Sequence, residues 1–113
     1  MKIKVDIESG PCGHKSTVVA TTDDGMFADL TVDSNCDKIG ILSAMLMAQA
    51  PVPVASQLDP MTEGSVMALI RKTLTGACSG CATPVAIIKA MQIMAGKAVM
   101  QDIHLSFSET DDL

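Results

Sequence analysis

The chain has no tryptophan and no tyrosine, and only two phenylalanines, Phe27 and Phe107, among 113 residues. An aromatic core is therefore excluded. With 48% hydrophobic residues the core must be aliphatic, and nine methionines are there to fill its gaps. A basic face is also missing. The net charge is −5, and the seven lysines and Arg71 are scattered, which argues against a nucleic-acid partner. The opening Met1-Lys2-Ile3-Lys4-Val5-Asp6 alternates charge with apolar residues and contains no apolar stretch of the signal-peptide kind, which points to the cytosol. A membrane span is lacking too. The longest apolar run, Ile39 to Ala55, is broken by Ser43, Gln49, Pro51 and Pro53, and falls short of the roughly 20 residues a span requires.

What is present reads as one soluble α+β domain over residues 1–108, followed by an acidic flexible tail at 109–113. Lys2 to Glu8 alternates strictly, with Ile3, Val5 and Ile7 on one side, so a half-buried strand is predicted. Ser9-Gly-Pro-Cys-Gly13 interrupts it. A second strand is predicted at 15–22, Asp23-Asp24-Gly25 signals a hairpin, and a third strand at 26–33 turns Met26, Ala28, Leu30 and Val32 inward. At Ser34-Asn-Cys-Asp37 the period changes to a helix running to about Ala48, with Ser34 and Asp37 resembling a capping box.

Ala50-Pro-Val-Pro-Val54 is expected to be extended. Thr62 is the expected N-cap of a second helix reaching Thr75. Thr83 and Pro84 open a third, with Val85, Ile88, Met91 and Ala95 inward. A last strand is expected at 102–108, apolar at Ile103, Leu105 and Phe107. The order implies a mainly antiparallel four-stranded sheet with about three helices packed on one face.

Four cysteines, Cys12, Cys36, Cys78 and Cys81, carry the chemistry that can be read here. In the cytosol, metal binding or redox work accounts for such a set better than structural disulfides do. Each stands in a loop of small or kinked residues able to aim backbone N–H groups at sulfur: Gly-Pro-Cys-Gly, Ser-Asn-Cys-Asp and Cys-Ser-Gly-Cys. All four are expected at junctions between elements, meeting at one edge of the sheet. One centre with four thiolate ligands, zinc or an iron–sulfur cluster, is the leading reading. The spacing matches neither the familiar ferredoxin pattern nor the zinc-ribbon pattern. Two rivals stand beside it. Cys78 and Cys81 form a CxxC pair suited to thiol–disulfide exchange, although both precede Pro84 where a thioredoxin-like nucleophile begins its helix. Alternatively the chain is a binding or assembly subunit without chemistry, its apolar helices serving a homodimer or another protein partner. Cysteines that merely pack remain the bland alternative.

Cys12-Gly13, Ser34-Asn35-Cys36, and Cys81-x-x-Pro84-Val-Ala-Ile-Ile-Lys-Ala90 followed by Ala95-Gly96 resemble a small uncharacterised family of methanogens and other anaerobes. That family's pattern is a CG turn, an S-x-C helix start and a C-x-x-P-V-A-I-x-K-A helix leading to a closing strand. This chain departs from it at Ala82-Thr83, where the pattern has Pro-Val, and at Cys78, where a histidine is expected. The resemblance implies Cys78 in the place of a histidine ligand, and its anaerobic hosts tip the choice towards an iron–sulfur cluster, with electron transfer or an accessory and assembly role.

Lesser candidates are read as structural. His14, beside the Cys12 turn, is a possible substitute ligand but more simply a solvent-facing turn residue, and His104 should face outward and be inert. Lys15, Lys38 and Lys89 lie near the cysteine loops in sequence and read as ordinary surface lysines. No phosphate loop, Ser-His-Asp arrangement or nucleotide fingerprint is present, which favours a non-enzyme while leaving an enzyme open.

Overall fold

In the computed structural model, which describes residues 1–111 and only the backbone of Ala77 and Ser79, the alternating segments form a meander. Strand β1 (Lys2–Glu8) pairs antiparallel with β2 (Lys15–Thr21), Lys2 opposite Thr21 and Glu8 opposite Lys15. In turn, β2 pairs with β3 (Phe27–Ser34), Ser16 opposite Ser34 and Thr21 opposite Asp29. Because side chains alternate across a strand, Ile3, Ile7, Val18, Ala20, Ala28, Leu30 and Val32 all fall on one buried face. The β2–β3 turn is tied by side chains. Thr22 Oγ1 donates to the Phe27 carbonyl (2.6 Å) and accepts the Gly25 N–H (2.9 Å). Gly25 itself has φ +75°, a conformation glycine adopts without strain. Met26, expected inward, precedes the strand and is 65% exposed.

Helix α1 (Asp37–Gln49) lies across β3 and buries Ile39, Leu42, Ser43 and Leu46. Ser43 Oγ accepts the Val32 N–H (3.0 Å), so the helix occupies a donor on the outer edge of β3. The proline-rich connector is extended as expected, and it also joins the sheet. It forms β4 (Val52–Pro53), with Val52 opposite Ala28 and Pro53 opposite Phe27. Proline is tolerated because this is an edge strand. The sheet order is thus β1-β2-β3-β4.

A one-turn helix α2 (Val54–Gln57) leads to α3 (Ser65–Thr73), whose N-cap is Gly64 rather than Thr62. Gln57 explains the shift. A side chain at position 64 would stand 2.7 Å from the Gln57 Cα, and Gln57 Oε1 accepts the Val66 N–H (2.9 Å), capping α3 from outside. Helix α4 (Thr83–Met94) packs on β1 and β2 and completes the layer of helices on one face. The α+β architecture with a four-stranded antiparallel sheet is therefore as the sequence implies.

Further local expectations fail, wholly or in part. Residues 102–108 are not a strand: the segment from Gln101 to Thr110 is exposed, outside any ladder, and the fourth strand is instead Val52–Pro53. The final two residues of the anticipated acidic tail lie outside the described residues. The buried stripe of α4 is Ala86, Ile87, Ala90, Met91 and Met94, while Val85 is 53% exposed. Two small alanines bring this face against the sheet, and Val85, on the far side, turns to solvent. The capping box at Ser34 does not form either. Ser34 ends β3, and its Oγ accepts the Ser16 hydroxyl (2.8 Å) and the Cys36 N–H (3.1 Å).

Candidate functional site

The cysteine segments reach one end of the sheet for reasons of strand direction. Strand β1 ends, β2 begins and β3 ends at the same side, because Glu8, Lys15, Ser16 and Ser34 are neighbours across the ladders. Cys12 is the last residue of a 3-10 turn (Gly10–Cys12) joining β1 to β2. Cys36 follows β3 and is the N-cap of α1, its carbonyl accepting the Gly40 N–H at 2.9 Å. Cys78 lies in a second 3-10 turn (Gly76–Gly80) and Cys81 directly follows it, with the Cys81 N–H donating to the Cys78 carbonyl at 3.1 Å. That turn is joined to the start of α1 through Lys38, whose Nζ lies 3.6 Å from Cys78 Sγ. Helix α4 then runs away from this end. Its last residue, Met94, has its carbonyl 3.7 Å from where a side chain on Gly25 would begin, at the opposite β2–β3 turn.

All four thiols are free. Cys36, Cys78 and Cys81 are half-buried and pack against the hydrophobic core, whereas Cys12 is exposed. Among the described residues, no three His, Cys, Asp or Glu side chains are grouped so as to hold a metal ion. The fold thus brings the loops to one end without assembling the four sulfurs into a ligand set.

Three further side chains, Asn35, His14 and Lys38, bind this end together, the last two expected to be ordinary surface residues. Asn35 Oδ1 accepts the Lys15 N–H (3.0 Å), which fixes the orientation of its amide, and lies 3.0 Å from His14 Nδ1. An oxygen cannot donate, so Nδ1 carries the proton and the neutral ring keeps its lone pair on Nε2. His14 is therefore half-buried and tied to the Cys36 loop, not a free turn residue. Lys38 belongs with it, since its tie to Cys78 spans 40 residues of sequence and leaves no local signal. Of the other lysines, Lys15 pairs with Glu8 at 3.7 Å on the surface. His104 is exposed, in the extended segment rather than on a strand.

Thr83 was expected to cap α4 and does not. Ala82 is the N-cap, Thr83 is the first helical residue, and it is fully buried with no hydrogen-bond partner for Oγ1. A buried hydroxyl without a partner costs about 1–3 kcal/mol, so its presence two residues from Cys81 needs an explanation.

A family model matches residues 3–107, nearly the whole chain, and the protein belongs to that family, a family of unknown function (DUF6951). No curated protein matches the chain. No solved structure matches it either. Among the described residues no helix is long and apolar enough to cross a membrane.

Proposed function

We propose that this chain is a small cytosolic metal-binding protein with one centre held by the thiolates of Cys12, Cys36, Cys78 and Cys81, an iron–sulfur cluster in preference to structural zinc. Its role is electron transfer or service as an accessory or assembly protein, and its family is one of methanogens and other anaerobes. The observation that carries the reading is the convergence of three cysteine-bearing loops, distant in sequence, at one end of the sheet, with every thiol free. None of the four stands inside a strand or an α-helix, where a packing cysteine would be expected.

The donor set fits such a group in kind. Three thiols are half-buried against the apolar core, the kind of flank a cluster site uses. The Thr83 hydroxyl, two residues after Cys81 in the chain, is buried without a partner and would be free to donate to a thiolate sulfur brought to it on assembly. Lys38 brings a positive charge to the same place. Assembly requires the exposed Cys12 turn to close over that end. Its flanking Gly10 and Gly13, both at φ +71°, give it the backbone freedom to do so, and no residue of the turn is buried. When bound, a cluster supplies one-electron redox chemistry, and zinc supplies folding free energy.

The test is a set of four single variants, Cys12→Ser, Cys36→Ser, Cys78→Ser and Cys81→Ser, each purified without oxygen and analysed for metal. All four are expected to lose most of it to a similar degree. Full retention by Cys12→Ser, with loss in the other three, would reject the four-cysteine assignment.

A further inference from the structure

We infer that the segment 102–108, which lies outside any ladder in the single chain, becomes a strand by pairing with the free edge of β1 in a second copy, by mutual exchange. The proposal stands apart from the metal reading. Its first ground is the segment itself. Ile103, Leu105 and Phe107 are 54%, 70% and 92% exposed, and they alternate with Asp102, His104, Ser106 and Ser108. This is the period of a half-buried strand, and such a run on a solvated chain is a site of association. The family model reaches residue 107, so it takes in all three apolar residues.

The second ground is the edge. The sheet order leaves β1 and β4 outermost. On the β4 side little backbone is open, because Val52–Pro53 covers the start of β3 and Ser43 takes the Val32 N–H. On the other side β1 offers seven residues with no ladder partner beyond β2 among the described residues. Such an edge is a template for one more strand. Its apolar set, Ile3, Val5 and Ile7, has the same spacing as Ile103, Leu105 and Phe107, so either strand direction brings the two apolar sets to the same face.

The third ground is reach. Helix α4 ends beside the β2–β3 turn, and residues 101–110 beyond it are exposed throughout. The segment forms no ladder with its own β1. A second copy presents the same edge, and reciprocal exchange gives a closed two-fold dimer in which neither edge nor segment is left over.

Sedimentation of the full chain from low to high micromolar concentration tests this, together with amide hydrogen exchange over the same range. The expected species is a dimer of twice 11.8 kDa, with the amides of β1 and 102–108 gaining protection as the dimer forms. Leu105→Asp should give a monomer of unchanged far-ultraviolet circular dichroism, because Leu105 is 70% exposed and belongs to no helix or strand of the single chain. A wild-type chain that stays monomeric throughout overturns the proposal. So does a Leu105→Asp dimer, and so does protection of 102–108 in the monomer, which would mean docking on its own sheet or elsewhere in the same chain.

Discussion

Lys38 Nζ stands 3.6 Å from Cys78 Sγ, joining the first turn of α1 to the CxxC turn across 40 residues of sequence. The lysine side chain is exposed, so the contact contributes little to folding. Its weight falls on the charge of the site. Bound thiolates are anionic, and removing the nearby ammonium should weaken metal retention against a chelator by at most about fivefold, the ratio that corresponds to about 1 kcal/mol. Lys38→Ala should therefore release metal modestly faster, with the loss shrinking at high salt. Unchanged retention at low salt would show that Lys38 is a bystander.

Thr83→Val replaces a buried hydroxyl without a partner by a methyl group of nearly equal volume. In the chain stripped of metal, stability should rise by about 1 kcal/mol, since the desolvation cost disappears. With metal bound, a hydroxyl donating to thiolate sulfur would be lost, and the gain should be smaller or reversed. Denaturant titrations of both forms check this. An equal gain in the two would separate Thr83 from the centre.

Asp24 closes the β2–β3 turn, its Oδ1 accepting the Met26 N–H (2.8 Å) and the Phe27 N–H (3.2 Å). These bonds, the one to Met26 first, hold its carboxyl below the ordinary value of 3.8. A carboxylate with a lowered folded-state value contributes stability that is fully present above 3.8 and is lost as pH falls through the lower, folded-state value. Asp24→Ala should therefore be less stable than the wild type at neutral pH, with the difference shrinking below pH 3.8. The effect is small because the residue is fully exposed. Thermal melts of both proteins at neutral and acidic pH measure it, and a difference independent of pH would contradict the assignment.

The period-2 runs made β1, β2 and β3 legible within a residue or two, because each buries a single face and alternation is then enforced. The same logic misread 102–108. Alternation marks a segment suited to a sheet, but pairing depends on a partner edge that lies outside the segment. Val52–Pro53 was the converse case, since two residues are too few to show a period. Of the inward set expected on α4, Met91 is fully buried and Ile88 and Ala95 pack partly against the core, but Val85 turns to solvent because the pair Ala86 and Ala90 lets the backbone approach the strands. The candidate site was half legible. That four cysteines stand at junctions follows from turn chemistry around each of them, and it agrees with the fold. The ties through Asn35, His14 and Lys38, and the burial of Thr83, depend on residues 20 or more apart in sequence and left no local pattern.

The most direct measurement of the central claim is elemental analysis with a visible absorption spectrum of the wild-type chain, purified without oxygen. Tryptophan and tyrosine are absent, so thiolate-to-iron bands would stand on a nearly clear background. The account predicts iron with inorganic sulfide and visible absorption, lost together on chelation or acidification as the thiolates are protonated. Stoichiometric zinc without colour would keep the centre and change its metal. A chain free of iron and zinc, with all four thiols reactive and a melting temperature unmoved by chelator, would contradict the account.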